Sequence, residues 1–421
     1  MFSGSPTPAT MNRNHTFFAF PLLACLLSAG ALAQDTAPIP PPPVVANPTN
    51  DTARLLAGLA PSADPVMVAL TKESAWQQHA KFFDTAWARL EKSQLSKVRA
   101  WAETNISEAY AAKGTAFYMF SGPDFLYADT FFPQASTYVL CGMEPTGAIP
   151  DVAKLTPKVL GGELHALQES LNSVMSYSFF ITKQMKDDFQ NHSLSGTLPV
   201  LYIFLARSGL NLTDVSYVSL DEAGVLTPQP DRNGKSSAPG VCIHFLAPGT
   251  DTKHTLYYFC TDISDGGLKK SGFLKFCKTL APGNGCVKSA SYLMHESNFS
   301  TIRGFLLENI GTLVQDDSGI PVSFFTPDVW QMRYFGAYPG PISLFKNCNQ
   351  PKLAEAYRTT HPEPLEFGIG YRHHAGESTL MVATRKAPGG NPPPPATPPA
   401  KAVPPRALIV PQTEAAPAAT P

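Results

Sequence analysis

A chain of 421 residues that is 43% hydrophobic and 15% charged can bury a large core, and its charged fraction falls below the usual quarter of a globular protein. Lysine and arginine total 32 against 33 aspartate and glutamate, a balance that gives no electrostatic reason to expect nucleic acid or an anionic membrane as partner. Small molecules, polymers and proteins stay open.

Residues 11–33, MNRNHTFFAFPLLACLLSAGALA, set Arg13 before a short apolar stretch and end in Ala31-Leu32-Ala33. That is the pattern of a cleavable signal peptide, assigned to residues 1–33. Export to the periplasm or outside the cell is therefore expected. The stretch, interrupted by Pro21, is shorter than the roughly 20 residues a membrane span needs, and no later segment is long and apolar enough, so no membrane span is expected after cleavage. Two proline-rich stretches follow the same logic of spacers: a linker over 34–50 and a Pro/Ala-rich tail over 387–421, which cannot build a ladder of backbone hydrogen bonds and are expected to be disordered. Between them, 51–386 forms the globular region, with a division into two lobes (about 51–195 and 196–386) left open.

The first elements of that region are helical. Trp76, His79, Phe83, Trp87 and Leu90 recur at steps of three or four, then Leu95, Val98, Ala102 and Ile106 do the same, which predicts a helical hairpin broken near Ser93. His79 on that stripe reads as a packed core histidine. Next, GTAFYMFSGPDFLYADTFFPQASTYVLCG reads as strand, helix, strand: Ala116–Phe120 is an apolar run, and Ser121-Gly122-Pro123-Asp124 fits a Ser-x-x-Asp capping box at a helix start. A helix over ELHALQESLNSVMSYSFF follows.

Beyond residue 196 the pattern is mixed. PVLYIFLARSG suits a buried helix or strand; VSYVSLDEAGVL suits a hairpin about Glu222-Ala223-Gly224, and 241–260 a second one. GLKKSGFLKFCKTL is predicted helical, 320–336 two strands, QPKLAEAYRTT a short helix, and LEFGIGYR with STLMVATRK a closing strand pair. SASYLMHESNFSTIRGFLLENIGTLVQDDSG aligns without gaps to the strand–helix–strand unit, pairing Ala116 with Ala290, Tyr118 with Tyr292, Phe125 with Phe299 and Phe131 with Phe305. Identity at that level over about thirty positions is close to chance between two amphipathic segments. The fold class is α+β or α/β: a helical N-terminal part, then a mixed sheet with helices, with two pseudo-repeated strand–helix–strand units.

In such folds ligands gather at the carboxyl ends of strands and at helix starts. The candidates there are Asp124 and Glu144 in the first unit and His295, Asp316 and Asp317 in the second. Carboxylates with a histidine can serve as acid and base or hold a divalent cation. Each also has a structural reading: Asp124 as a helix cap, Glu144 in a turn before Pro145, Asp316-Asp317-Ser318-Gly319 as turn chemistry. No His-Glu-x-x-His, Cys-x-x-Cys, Gly-x-Ser-x-Gly, phosphate loop or EF-hand loop occurs. No cofactor and no dedicated metal site is expected, although His373-His374 with Glu377 carries ligand chemistry; Trp330, Tyr334, Phe335 and Tyr338 carry sugar-stacking chemistry. An even set of six cysteines beyond the leader permits disulfides in an exported chain, with Cys242–Cys260 and Cys277–Cys286 as the pairs that sequence proximity suggests. The expectation is an envelope binding or assembly module for an unknown envelope partner or small molecule, in an unspecified oligomeric state. The alternative is an envelope hydrolase with a carboxylate/histidine site, and whether the chain is an enzyme stays undecided.

Overall fold

The computed structural model describes residues 47–177, 193–228 and 238–386. The expected signal peptide, most of the 34–50 linker and the 387–421 tail lie outside them. The linker's last residues are already folded. Helix α1 (Pro48–Leu56) starts with Asn47 as its cap, Oδ1 accepting from Asn50 N at 2.7 Å, and proline sits where its missing N–H costs nothing. The Asp51 carboxylate, 1% exposed, then gathers Ser62 N, Ser62 Oγ, Ala63 N and Asp64 N, so the turn into α2 (Pro65–Leu70) is built around a charge with its lone pairs filled.

The expected hairpin near Ser93 is instead one continuous helical run. α3 (Ser74–Leu90) passes through a π-helical turn (Glu91–Leu95) into α4 (Ser96–Asn105). No glycine or proline interrupts 91–95, so nothing stops the helix. The apolar stripe advances by five residues from Leu90 to Leu95, and the wider turn keeps both halves facing the same core. A short α5 (Ser107–Ala111) leads into the sheet.

Among the described residues, ten strands form one sheet in the order β4-β3-β5-β6-β2-β1-β7-β8-β10-β9. They are β1 (Thr115–Tyr118), β2 (Thr137–Gly142), β3 (Asn211–Leu220), β4 (Leu226–Pro228), β5 (Ala238–Leu246), β6 (Lys253–Cys260), β7 (Gly283–Val287), β8 (Ile310–Gln315), β9 (Trp330–Gly336) and β10 (Thr379–Arg385). The run β6-β2-β1-β7-β8 is parallel; the pairs outside it are antiparallel. α6 (Phe125–Phe131) links β1 to β2, and later helix Ser300–Asn309 links β7 to β8. The chain is thus an α/β protein with antiparallel flanks, and both strand–helix–strand units exist.

Those units diverge from the central β1–β7 pair in opposite directions. A right-handed crossover moving each way must place its helix on the opposite face. The burial pattern agrees: Ala116 and Tyr118 of β1 pack with Phe125 and Phe131 of α6, whereas Phe117 and Met119 pack with Ile302 and Phe305 of the second helix. α7 (Pro157–Tyr177) and α8 (Leu198–Arg207) join the first layer through Leu160, Leu164, Leu167, Leu201 and Phe204. α9 (Asp265–Leu268), α10 (Phe273–Leu280) and α11 (Ser300–Asn309) cover the second, and α12 (Pro351–Thr360) packs Leu353 and Tyr357 near Met381 of β10.

Three expectations are corrected here. First, 320–336 holds one strand, since Val322–Phe324 is a 3₁₀ turn, and LEFGIGYR forms only the isolated bridge Ile369–Arg372. Second, the ungapped repeat is out of register: Ala116 lies in β1, but Ala290 and Tyr292 lie beyond β7, whose sequence is the unpromising GNGCV. Third, all six described cysteines are free thiols. Cys242 pairs across the β5–β6 ladder with Tyr257, three residues from Cys260, and an odd step along a strand turns the two side chains to opposite faces. Cys277 and Cys286 belong to the cores on opposite sides of the sheet.

Candidate functional site

The β1–β7 pair is the topological switch point of the parallel sheet, and the two segments that leave its carboxyl end are both strained. After β1 the chain turns with Phe120 at φ 63° and Gly122 at φ 53°; after β7, Ser289, Ser291 and Tyr292 take φ of 51°, 50° and 53°. Left-handed backbone at non-glycine residues costs of order 1–3 kcal/mol each and must be held by its surroundings. The hydrogen bonds that hold it are visible. Asp316 Oδ2 accepts from Ser289 N at 2.8 Å, Ser318 Oγ accepts from Ala290 N at 2.8 Å, and Tyr371 Oη accepts from Ser291 N at 3.1 Å while donating to Ser289 O at 3.0 Å.

The Ser-x-x-Asp corner does not form the expected capping box. The helix begins three residues later, at Phe125, with Asp124 as its cap: Oδ1 accepts from Tyr127 N at 3.2 Å. Ser121 instead ties the corner to β2, its Oγ accepting from Cys141 N at 3.3 Å and donating to Gly122 O at 2.8 Å. The other oxygen of Asp124 faces Lys288, the residue after β7. Nζ to Oδ2 is 2.8 Å and both side chains are 1% exposed. Tyr118 Oη donates to the same Oδ2 at 3.0 Å, and the Lys288 ammonium lies 4.3 Å from the Tyr127 ring centre.

Asp316 and Asp317 follow β8 along the same edge. Asp316 Oδ1 accepts from Ser318 N at 2.9 Å and Ser318 Oγ at 2.5 Å. Burial raises its pKa, while those hydrogen bonds and the charge of Lys288 pull it back. Asp317 Oδ2 accepts from Tyr292 Oη at 2.6 Å; burial, then the neighbouring charge of Asp316, pushes Asp317 up to about 7. The His295 ring meets Tyr292 edge-on at 5.1 Å, and burial lowers its pKa. Tyr292 also stacks on Tyr371 at 6.1 Å.

All five sequence candidates therefore lie at the carboxyl edge, in three groups. Asp124 and Asp316 share the surroundings of Lys288; Asp317 and His295 share Tyr292. Glu144 stands apart beyond β2, 4% exposed, where Tyr258 Oη donates to its backbone oxygen at 2.8 Å and to Oε2 at 3.3 Å. Lys288, Tyr118, Tyr292, Ser289 and Tyr371 are the members that the sequence did not reveal. Lys288 follows directly on the apolar end of β7, so recognising GNGCV as a strand would have pointed to it.

The other sequence candidates fall elsewhere. His373 and His374 lie with ring centres 4.2 Å apart in the segment before β10, and no group of three or more His, Cys, Asp or Glu side chains among the described residues is arranged to hold a metal ion. Trp330 and Phe335 are buried, and Tyr334 and Tyr338 pack on Tyr357 of α12, so they serve packing. Burial pushes the Cys141 thiol up to about 12. Two surface grooves lie away from the carboxyl edge: about 450 Å³ along Gln78–Arg89 of α3, and about 320 Å³ between Trp101 and Phe367. Among the described residues no helix is long and apolar enough to cross a membrane. No family model matches the chain, and no match is found among curated proteins or solved structures.

Proposed function

We propose that this chain is an exported cell-envelope protein, periplasmic or secreted, that acts as a binding or assembly module rather than as a catalyst. The export half rests on the leader MNRNHTFFAFPLLACLLSAGALA. The binding half rests on one observation: the carboxylates of the switch-point edge are already satisfied from within. Asp124, Glu144, Asp316 and Asp317 are 1%, 4%, 1% and 2% exposed. Their oxygens are engaged by Lys288, Tyr118, Tyr258, Tyr292, Ser318 and backbone N–H groups. A general acid or base must reach the proton it moves, and these groups reach one another instead.

The second reading, a carboxylate/histidine hydrolase, is favoured by Asp317, which is held near neutral beside His295. Two measurements separate them. Thermal-shift screening of the purified protein against small molecules and envelope extracts is expected to give a stabilising ligand, with no turnover of esters, glycosides or peptides. Turnover that Asp317→Asn abolishes would replace the binding reading with the hydrolase. Cell fractionation checks export, and recovery of the chain in the cytosol with residues 1–33 attached would refute it.

A further inference from the structure

We infer that Lys288 and Asp124 condense to an intramolecular isopeptide bond, a covalent cross-link between the segments leaving β1 and β7. Three observations carry this. The amine and the carboxylate are already in contact, Nζ to Oδ2 at 2.8 Å, with both side chains 1% exposed. The pair sits against the Tyr127 and Tyr118 rings, at 4.3 and 5.9 Å from Nζ, so water is kept from it. The Asp124 oxygens are also differentiated, Oδ1 held by Tyr127 N and Oδ2 by Lys288 and Tyr118 Oη.

The chemistry follows from that arrangement. Removing an ammonium and a carboxylate from water is costly. A proton passes from Nζ to Oδ2, leaving a free amine beside a carboxylic acid. The Nζ lone pair attacks Cγ and forms the C–N bond. The surplus Nζ proton passes to Oδ2 within the adduct, the Cγ–Oδ2 bond breaks, and one water leaves. An ammonium and a carboxylate have become an amide and water, with no change in oxidation state and no co-reactant. Oδ1 remains as the amide oxygen and keeps its hydrogen bond from Tyr127 N, so the cap of α6 survives. Fixed contact of the two groups supplies the advantage that dilute amines and acids lack.

The test is mass spectrometry of the denatured full chain. The wild-type protein is expected to be lighter by one water than the Lys288→Arg and Asp124→Ala variants once each substitution is corrected for, a comparison that signal processing does not disturb. Digestion is expected to yield one branched peptide joining the segment with Asp124 to that with Lys288, uncut at Lys288. A wild-type chain of full mass, or a water lost without the branched peptide, overturns the cross-link. Since the mass of the wild-type protein decides alone, a variant that fails to fold leaves the question answerable.

Discussion

His79 and Asp317 are both buried, and burial has displaced their proton equilibria in opposite senses. His79 is wholly enclosed: Nε2–H donates to Leu56 O at 2.8 Å and Nδ1 accepts from Gln168 Nε2 at 2.9 Å, roles that suit the neutral ring, and burial lowers its pKa to about 4. Between pH 6.5 and 4 the unfolded chain binds a proton there that the native state refuses. Stability therefore falls as the pH drops through that window, by roughly 1.4 kcal/mol per unit. Asp317 does the reverse. The native state keeps its proton up to about pH 7, whereas an exposed carboxyl gives it up near 3.8, so stability falls as the pH rises between those values. Asp317→Asn preserves an acceptor for Tyr292 and is expected to raise stability at pH 8 by up to about 4 kcal/mol, the gain vanishing near pH 4. His79→Gln is expected to destabilise at pH 7 and to flatten the loss between pH 6.5 and 4. Urea unfolding across that pH range checks both, and profiles parallel to wild type would refute the two assignments.

At the scale of elements, the central strand and its crossing helices bear the packing. Phe117 of β1 is fully buried and meets Phe305 of α11 edge-on at 5.5 Å, so Phe117→Ala is expected to cost about 3–5 kcal/mol, with Phe117→Leu costing about a third of that. Equilibrium denaturation measures it; a loss below about 1 kcal/mol would mean that the β1–α11 contact is not central. Elements whose apolar period is local were readable before the structure. The α3 and α4 stripes, both hairpins and the α6 unit emerge from spacing alone. The π turn was written there too, in the five-residue step from Leu90 to Leu95, but a step of five also reads as a break. β7 was not readable: GNGCV has two glycines and an asparagine, and it is a strand because β1 and β8 flank it. That miss moved the apolar run to Ser289–Met294 and hid Lys288. Asp124 and Asp316 were found by their place at strand ends, a rule that needs only strand order along the chain.

Strand order in space belongs to the whole molecule, and so does the fate of the cysteines. Nearness in sequence made Cys242–Cys260 and Cys277–Cys286 natural pairs, but the side of the sheet on which a residue falls is set by pleat and layer, which separate both. A ten-stranded sheet with helices on each face buries enough apolar surface to need no covalent help from sulfur. Cys141, Cys242, Cys277 and Cys286 are buried, whereas Cys260 and Cys348 are partly exposed. Native protein without reductant is therefore expected to yield at most two fast-reacting thiols, and the denatured mature chain all six. Burial pushes the Cys242 thiol up to about 11 and raises Cys277 and Cys286 further, so their slowness reflects suppressed thiolate as well as lack of access. Reductant is expected to leave the melting temperature unchanged. Fewer than six thiols in the denatured chain, together with a melting temperature that reductant lowers, would mean that the protein is held by bridges, and that its two core layers sit closer at the cysteines than this arrangement of strands permits.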